Sequence, residues 1–315
     1  MRYCLAVLSW GLLAMQPAHA IMAGVADGHV PDTPAKRVDL NLTSSPWAGV
    51  GSLSVKGGTY SGVLIGPQHV LTAAHVVAGA MPADIVFNVN FGGELTYKIP
   101  AGATTIHPGF GKNKFRGIQL DDLAIVTLAS ALPPGVPHYP LLSQPLDIGA
   151  TILLVGYGAS GDGEKGATLS GRAAVKRTGR NVIDLFLPPV KRFEFPRAYL
   201  FDYDDSYGKR NALGGASLGN DSESMIASGD SGSPAFVNLD GEWQLAGINT
   251  FQINDAARGA PPRFGALGGG MWLPAYSQWV SQSMQPQQSS DTQNGYLWMA
   301  GLAGLFGASR LRSWH

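Results

Sequence analysis

Short runs of apolar and β-branched residues, broken by turns rich in glycine and proline, recur along most of the chain. In the first half they occupy 47–55, 60–65, 70–73, 85–91 and 123–128. A second series extends from 151–155 to 243–251, and a helical pattern opened by Pro274 follows over 275–284. Because no helical pattern separates the strands, the chain is predicted to be all-β, with barrels rather than a parallel sheet and a short C-terminal helix.

A proline-rich stretch at 132–145 divides this strand pattern into two halves. We expect one barrel over about 21–140 and another over about 146–284, and 315 residues are enough for both. Lys plus Arg and Asp plus Glu balance at 22 each without a long basic run. This balance gives no reason to expect a nucleic-acid partner.

The first twenty residues have the features of a secretory signal peptide. Arg2 precedes an apolar stretch at 5–15, and Ala18-His19-Ala20 is a small-x-small cleavage site. The alternative, a membrane anchor, is disfavoured because the apolar run is too short to span a bilayer. The only cysteine, Cys4, lies in this segment, so the mature chain would have none although disulfides can form outside the cytoplasm.

The C-terminal region changes character after Met284. A polar linker is expected over 285–295, followed over 296–315 by an apolar segment with a basic end. The apolar run is shorter than the ~20 residues of a membrane-spanning helix. The layout resembles the sorting tails of some exported Gram-negative proteins, which implies a secreted or cell-envelope protein and transient membrane association through the tail. An apolar helix packed on the barrel is the alternative.

Three short motifs contain the residue types of an acyl-transfer site. In GDSGSP, Ser231 stands between glycines, so its hydroxyl can project from a tight turn. The N–H groups of Gly229 and Ser231 can converge there as an oxyanion hole. Serine also needs a base and a group that orients the base. His75 in LTAAH and Asp122 in DLAIVTL are the candidates. Asp121 is a rival for Asp122, which is preferred because the apolar strand begins directly after it.

The order of His, Asp and Ser in these motifs resembles the chymotrypsin/trypsin-like serine peptidases, over about 21–283. GYG at 156–158, GINTF at 247–251 and IMAG at 21–24 add to the resemblance. The family usually has GDSGGP, so Ser233 departs from its pattern. The resemblance implies two six-stranded antiparallel β-barrels with the active site in the cleft between them. It also implies an endopeptidase without a cofactor that acts on protein or peptide substrates through an acyl-enzyme, with Ser231 as nucleophile, His75 as base and Asp122 as orienting group.

The resemblance further implies a specificity pocket and an activation pair. Alignment on GDSG places Met225 at the pocket floor, where trypsin-like members have an aspartate, so we expect a small or apolar P1 residue. Glu223 is the alternative, because a shifted loop could bring its carboxylate into the pocket. In the activation pair, a new N-terminus at Ile21, freed by cleavage after Ala20, would bind Asp230; otherwise Ile21 begins a disordered leader. The remaining pocket positions are Thr250, Phe251, Gln252 and Gly270.

The resemblance also marks where this chain departs from the animal members, which are disulfide-bonded. Ser61 and Val76 stand where it places one bridged pair of cysteines, and Ala227 where it places another cysteine. Two other classes of function stay open. One is a binding module that keeps the fold but does no chemistry, whose signature would be a lost triad residue, and none is lost here; the other is an esterase. The acidic run 202–205 could bind calcium, but it lacks the spaced ligands of an EF-hand. A solvated turn without a metal is expected there.

Overall fold

The computed structural model describes residues 21–187, 195–254 and 261–285. The segments predicted as signal peptide and sorting tail lie outside the described residues, as does the linker beyond Gln285. Within the described ranges, no helix is long and apolar enough to cross a membrane.

The regular secondary structure of the described chain is mostly β-strand. The strands of the first half are β1 Val50–Val55, β2 Gly58–Gly66, β3 His69–Thr72, β4 Ile85–Val89, β5 Tyr97–Ile106, β6 Lys114–Phe115, β7 Ile118–Gln119 and β8 Ala124–Leu128. Those of the second half are β9 Thr151–Gly156, β10 Ser160–Asp162, β11 Gly166–Leu169, β12 Arg177–Val182, β13 Leu185–Phe186, β14 Ala198–Asp202, β15 Pro234–Leu239, β16 Glu242–Ile253 and β17 Leu267–Trp272. The α-helices are α1 Ala74–Val77 and α2 Ser277–Ser283, and 3-10 turns lie at Pro34–Arg37, Pro82–Asp84 and Leu273–Tyr276.

The first half forms a closed six-stranded antiparallel barrel in the order β1-β2-β3-β8-β5-β4. The barrel closes because β4 pairs with β1, with Leu53 opposite Phe87. Inward side chains such as Leu53, Val70, Phe87 and Val126 are fully buried together in its core. The first predicted barrel is therefore confirmed.

The second half forms a curled seven-stranded sheet in the order β12-β9-β15-β16-β17-β14-β13. The chain just before the GDSGSP motif runs along the edge strand β12, where the N–H of Arg180 donates to the carbonyl of Ser222 at 3.1 Å. The side chain of Asn181 on β12 reaches the carbonyl of Asp202 on β14 at 2.7 Å. The two sides of the sheet thus meet through a side chain, not through a backbone ladder. The fold class is confirmed as a trypsin-like double barrel, but this half has seven strands instead of the expected six and is a curled half-barrel.

Besides the core of each half, one hydrophobic cluster contains residues of both halves and fixes the cleft between them. The ring of Trp47 from the first half packs on Phe236 and Trp243 of the second, with ring centroids 5.0 and 4.7 Å apart. The C-terminal helix joins the same core through Val280. The predicted helical region is confirmed, and its first turn is a 3-10 turn at Leu273–Tyr276.

The acidic run 202–205 is buried, so the expectation of a solvated turn is wrong. Asp202, Asp204 and Asp205 are only 1, 4 and 6% exposed. The loop that follows covers them: the N–H of Leu213 donates to Asp202 at 2.6 Å, and the amide of Asn211 donates to Asp204 at 3.0 Å. Burial, together with the charges of Asp202 and Asp205, raises the pKa of Asp204 to about 7. Among the described residues, no three acidic, histidine or cysteine side chains are grouped so as to hold a metal ion.

Candidate active site

His75 and Asp122 meet at one end of the first barrel. His75 lies in α1, directly after β3, and Asp122 lies just before β8, which pairs with β3. The carboxylate of Asp122 accepts the backbone N–H of His75 at 2.8 Å and contacts its Nδ1 at 2.7 Å. Asp122 is buried, whereas 37% of the His75 side chain is exposed. A proton on Nδ1 satisfies the carboxylate, which leaves Nε2 on the open side as a base.

Asp121, the rival carboxylate, faces a different set of partners. Its φ of 62° lies in the left-handed region, and its carboxylate has other partners than that of Asp122. Tyr276 and Asn113 donate to Asp121 at 2.9 and 2.6 Å, and Arg197 forms an ion pair with it. Asp121 thus joins the barrels behind the site, and the imidazole contact belongs to Asp122.

Ser231 lies in a tight turn just before β15. The N–H of Asp230 donates to the carbonyl of Ala227 at 2.9 Å, and that of Ser233 donates to the carbonyl of Asp230 at 2.8 Å. Gly229 has a φ of 95°, which a side chain would disfavour. The hydroxyl of Ser233, the departure from the family motif, accepts the amide of Asn249 at 2.9 Å. The buried hydroxyl is therefore satisfied, and the turn tolerates it.

This turn docks on the first barrel beside the end of β3. The carbonyl of Ser231 accepts the N–H of Ser61 at 3.0 Å. A Cβ atom on Gly232 would lie 2.1 Å from Oγ1 of Thr72, so only glycine fits against this strand end. The contact brings Ser231 next to the residues that lead into His75. Among the described contacts, no hydrogen bond joins the side chains of Ser231 and His75. In related sites such a bond often forms or tightens only when substrate is bound.

The backbone of the serine turn leaves donors available on the cleft side. Within the described residues, the N–H groups of Gly229 and Ser231 have no hydrogen-bond acceptor. Both residues line the same pocket. The two expected oxyanion donors are therefore in a position to bind a ligand oxygen.

Asp230 is fully buried behind the serine turn. Its carboxylate accepts the N–H groups of Gly158 and Ala227 at 2.8 and 2.9 Å. A Cβ atom on Gly158 would lie 2.5 Å from the backbone nitrogen of Asp230, which explains glycine in the GYG motif. Burial raises the pKa of Asp230. Its hydrogen bonds, including one from the N–H of Ile21, and the charge of Arg177 offset part of this rise and leave the pKa at about 7.

Ile21 lies inside the second half of the molecule. Its side chain is fully buried, and the two residues that follow pair with the surrounding chain. The N–H of Met22 donates to the carbonyl of Met225 at 2.8 Å, and that of Ala23 donates to the carbonyl of Gly161 at 3.0 Å. Ile21 has a φ of 53°, which is unfavourable for a β-branched residue. The structure therefore brings the expected activation pair, Ile21 and Asp230, together.

A pocket of about 230 Å³ opens beside Ser231. It is lined by Tyr60, Ile226, Ala227, Ser228, Gly229, Ser231, Thr250, Phe251 and Gln252. Thr250 sits at an irregularity in the pairing of β16 with β17, and such bulges re-aim side chains next to active sites. A larger groove of about 630 Å³ shares Tyr60, Gly229 and Gln252 with the pocket. The described side chains that line the pocket are all uncharged.

Three of the expected specificity residues line this pocket, and two do not. Thr250, Phe251 and Gln252 form part of its wall. Met225 is fully buried in the core of the second half, and a Cβ atom on Gly270 would lie 1.9 Å from the carbonyl oxygen of Ile248. These last two residues are core positions rather than wall positions. Tyr60 and Ile226 take a place in the lining that the sequence did not suggest.

Glu223 also lies away from the pocket. Its side chain is buried and accepts the N–H of Leu218 at 2.9 Å. Burial, together with the charges of Asp204, Asp202 and Asp184, raises its pKa to about 8. The side chain is therefore largely neutral at pH 7, and it does not present a carboxylate to a substrate.

Ser61 has a place in this site that the motifs did not reveal. Its hydroxyl donates to the carbonyl of Gly229 at 3.1 Å and accepts the N–H of Tyr157 at 3.0 Å. The signal in the sequence was a departure: the resemblance places a cysteine at this position. A polar residue in place of that cysteine is the one signal from which a hydrogen bond near the serine turn could have been inferred.

The comparisons with known proteins agree with this geometry. A family model described as a trypsin-like peptidase domain matches residues 60–248. A search of curated proteins gave no significant match. The family match spans more than half of the chain, including His75, Asp122 and Ser231. The chain therefore belongs to the family of proteins with a trypsin-like peptidase domain.

Proposed function

We propose that the protein is an exported serine endopeptidase that acts through an acyl-enzyme. The observation that carries the proposal is the pair of contacts from Asp122 to His75, with the Ser231 turn docked beside the same strand end. Export rests on the signal-like first twenty residues alone.

The mechanism follows from these positions. His75 takes the proton of the Ser231 hydroxyl as its oxygen attacks the scissile carbonyl, and the N–H groups of Gly229 and Ser231 bind the oxyanion. His75 then donates this proton to the leaving amine, which departs as the acyl-enzyme forms. Water, activated by the same imidazole, releases the acid and regenerates the serine. Asp122 holds the tautomer and stabilises the imidazolium. Each oxyanion donor contributes roughly 3–4 kcal/mol in comparable sites.

A peptide substrate is favoured over a small ester by the space next to Ser231. The pocket of about 230 Å³ continues into the groove of about 630 Å³ along β2 and β11. A groove of that size accommodates several substrate residues, whereas a simple ester needs only the pocket. Hydrolysis of casein, compared with a panel of simple esters, tests this choice. Labelling of Ser231 by a fluorophosphonate probe separates an enzyme from a binding module, which would not react.

We predict cleavage after small or apolar P1 residues. No charged side chain lines the pocket within the described residues, so an arginine or lysine there would be buried without a partner. In a peptide library, cleavage after Arg or Lys should be at least about 100-fold slower than after the preferred residues. Ile226→Asp, which adds a carboxylate to the lining, should raise cleavage after Arg and Lys, and Ile226→Ala is the matched control. A wild-type profile dominated by Arg or Lys would contradict the prediction.

Activation is proposed to follow cleavage between Ala20 and Ile21. The φ torsion of Ile21 is defined by the peptide bond that precedes it, so hydrolysis of that bond removes the unfavourable torsion. It also converts an N–H that already bonds Asp230 into an ammonium group. The buried position of Ile21 favours this sequence of events over a disordered leader.

The pH dependence of this pair has a defined sign. Without the ammonium, the pKa of Asp230 is about 7 in the folded chain, compared with an ordinary value of 3.8. Its ionisation therefore lowers the folding stability as pH rises from about 4 to 7. The ammonium group reverses this effect by pairing with the carboxylate. An α-amine has an ordinary pKa near 8, and pairing raises it, so activity should fall as pH rises through that raised value.

An extra alanine inserted between Ala20 and Ile21 should lower kcat/KM by about 100-fold or more, if cleavage still follows Ala20. The added residue moves the ammonium away from Asp230, and the oxyanion turn then loses its support. N-terminal sequencing of the active protein establishes where each chain begins. Insertion of one alanine at the exposed Gly208 is the control. Full activity of a chain with the extra N-terminal residue, or an active mature chain that begins well past Ile21, would contradict the proposal.

A further inference from the structure

Ser61 is a second feature of the cleft, and the inference drawn from its contacts rests on the proposed function. It lies on β2 of the first barrel and is fully buried between the two halves. Its hydroxyl donates to the carbonyl of Gly229 at 3.1 Å, and its backbone N–H donates to the carbonyl of Ser231 at 3.0 Å. One residue of the first barrel therefore binds both carbonyls that flank Asp230 in the serine turn.

The remaining hydrogen bonds of Ser61 fix its own position. Its hydroxyl accepts the N–H of Tyr157 at 3.0 Å, and its carbonyl accepts the hydroxyl of Thr72 at 2.9 Å. The hydroxyl thus uses its proton for Gly229 and an oxygen lone pair for Tyr157. Alanine at this position would remove the partners of the partly buried Gly229 carbonyl and of the buried Tyr157 N–H, and each lost partner has a cost.

The orientation of the two carbonyls bears on catalysis. A carbonyl of Gly229 that is held toward β2 cannot turn into the pocket, where its negative end would repel an oxyanion. The N–H groups of Gly229 and Ser231 have no acceptor among the described residues and lie at the pocket. The hydrogen bonds of Ser61 therefore hold the turn in the conformation in which these donors serve the cleft.

We propose that Ser61 is a positioning residue that keeps the oxyanion turn in its active conformation. It acts through Gly229 and Ser231 and does not touch the substrate. In a chain whose only cysteine is Cys4, this hydrogen-bonded link between the first barrel and the serine turn stands at a position that the resemblance gives to a disulfide.

The test compares Ser61→Ala with Ser52→Ala in the full-length protein. Ser52 is the direct cross-strand partner of Ser61, is equally buried, and donates to the carbonyl of Ala173 at 3.0 Å, away from the site. Both variants lose one buried hydroxyl from the same pair of strands. Ser61→Ala should lower kcat by about 10- to 100-fold with KM unchanged, because the loss falls on the oxyanion donors. Ser52→Ala should keep the wild-type kcat.

Two further readouts separate positioning from a merely structural role. A peptide aldehyde built on the best-cleaved sequence forms a tetrahedral adduct, so its inhibition constant should weaken by the same factor as kcat in Ser61→Ala. Ser61→Cys keeps a donor at the same atom position, but a thiol donates more weakly, so its kcat should fall between those of wild type and Ser61→Ala. If Ser61→Ala does not fold, Ser61→Cys with Ser52→Cys as control gives the same comparison.

Three results would overturn the proposal for Ser61. These are equal kcat values for the matched pair, a rise in KM alone, and an aldehyde affinity that does not follow kcat. Failure of the proposed function would look different, because wild-type protein would then neither hydrolyse peptides nor react with a fluorophosphonate. An active wild-type enzyme whose Ser61 variants keep full kcat overturns only the positioning role.

Discussion

Ser231→Ala should lower kcat for peptide hydrolysis by about 10⁶-fold, and His75→Ala should do nearly the same. The serine supplies the attacking oxygen and the imidazole takes its proton, so neither step proceeds without the other. A variant with both substitutions should lose little more than either single variant, since the two residues act as a unit. The measurement is kcat on the best library peptide, together with covalent labelling by a fluorophosphonate.

The fold should survive both substitutions. The hydroxyl of Ser231 makes no hydrogen bond to other described residues, and the His75 side chain is 37% exposed. Thermal unfolding close to that of wild type is the control for Ser231→Ala. Near-normal hydrolysis by either variant, after removal of contaminating peptidases, would show that the triad assignment is wrong.

Much of the fold could be predicted because its determinants are local. Short apolar runs between turn residues specify strands, and the first barrel closes from strands that follow one another closely along the chain. The shape of the second half was harder to predict. The edge of its sheet at β12 is set by the hydrogen bond from Arg180 to Ser222 and by the one from the side chain of Asn181 to Asp202. Both bonds depend on tertiary packing.

The candidate site separates into motif residues and packing residues. His75, Asp122, Ser231 and Asp230 stand in motifs whose spacing along the chain is characteristic. The residues of the pocket wall do not stand in such motifs, because a residue on a twisted strand can face either the cleft or the core. Alignment alone placed Met225 at the pocket, whereas its side chain lies in the core of the second half and Ile226 is in the lining.

The acidic residues show a similar limit. A run of aspartates is hydrophilic in isolation, so the sequence predicted a solvated turn at 202–205. The loop that covers Asp202 and Asp204 supplies N–H donors from Leu213 and Asn211. These donors lie eleven and seven positions along the chain from the carboxylates that they bond, and they are recognisable only in the folded chain. Burial of a carboxylate therefore depends on donors that a local pattern does not include.

Asp122→Asn should lower kcat by about 10⁴-fold while the protein stays folded. The amide can no longer stabilise the imidazolium, and its N–H₂ group can donate to Nδ1 of His75, which favours the tautomer that is useless as a base. The loss should appear in kcat, with KM close to that of wild type, because Asp122 does not line the substrate pocket.

Asp121→Asn is the matched control, since it makes the same change at the adjacent position. It should affect the folding stability strongly and kcat little, the reverse of what is expected for Asp122→Asn. Asparagine can still bond with Asn113 and Tyr276, but it removes the negative charge that forms an ion pair with the buried Arg197. We expect a loss of about 3–5 kcal/mol in the free energy of unfolding, with a much smaller effect on kcat of the folded enzyme. Denaturant unfolding and kcat, measured on both variants at the same pH, give the comparison. If the folded Asp121→Asn enzyme lost 10⁴-fold in kcat and Asp122→Asn did not, the orienting carboxylate would be Asp121, because the group that holds the imidazole tautomer is the one whose charge the chemical step requires.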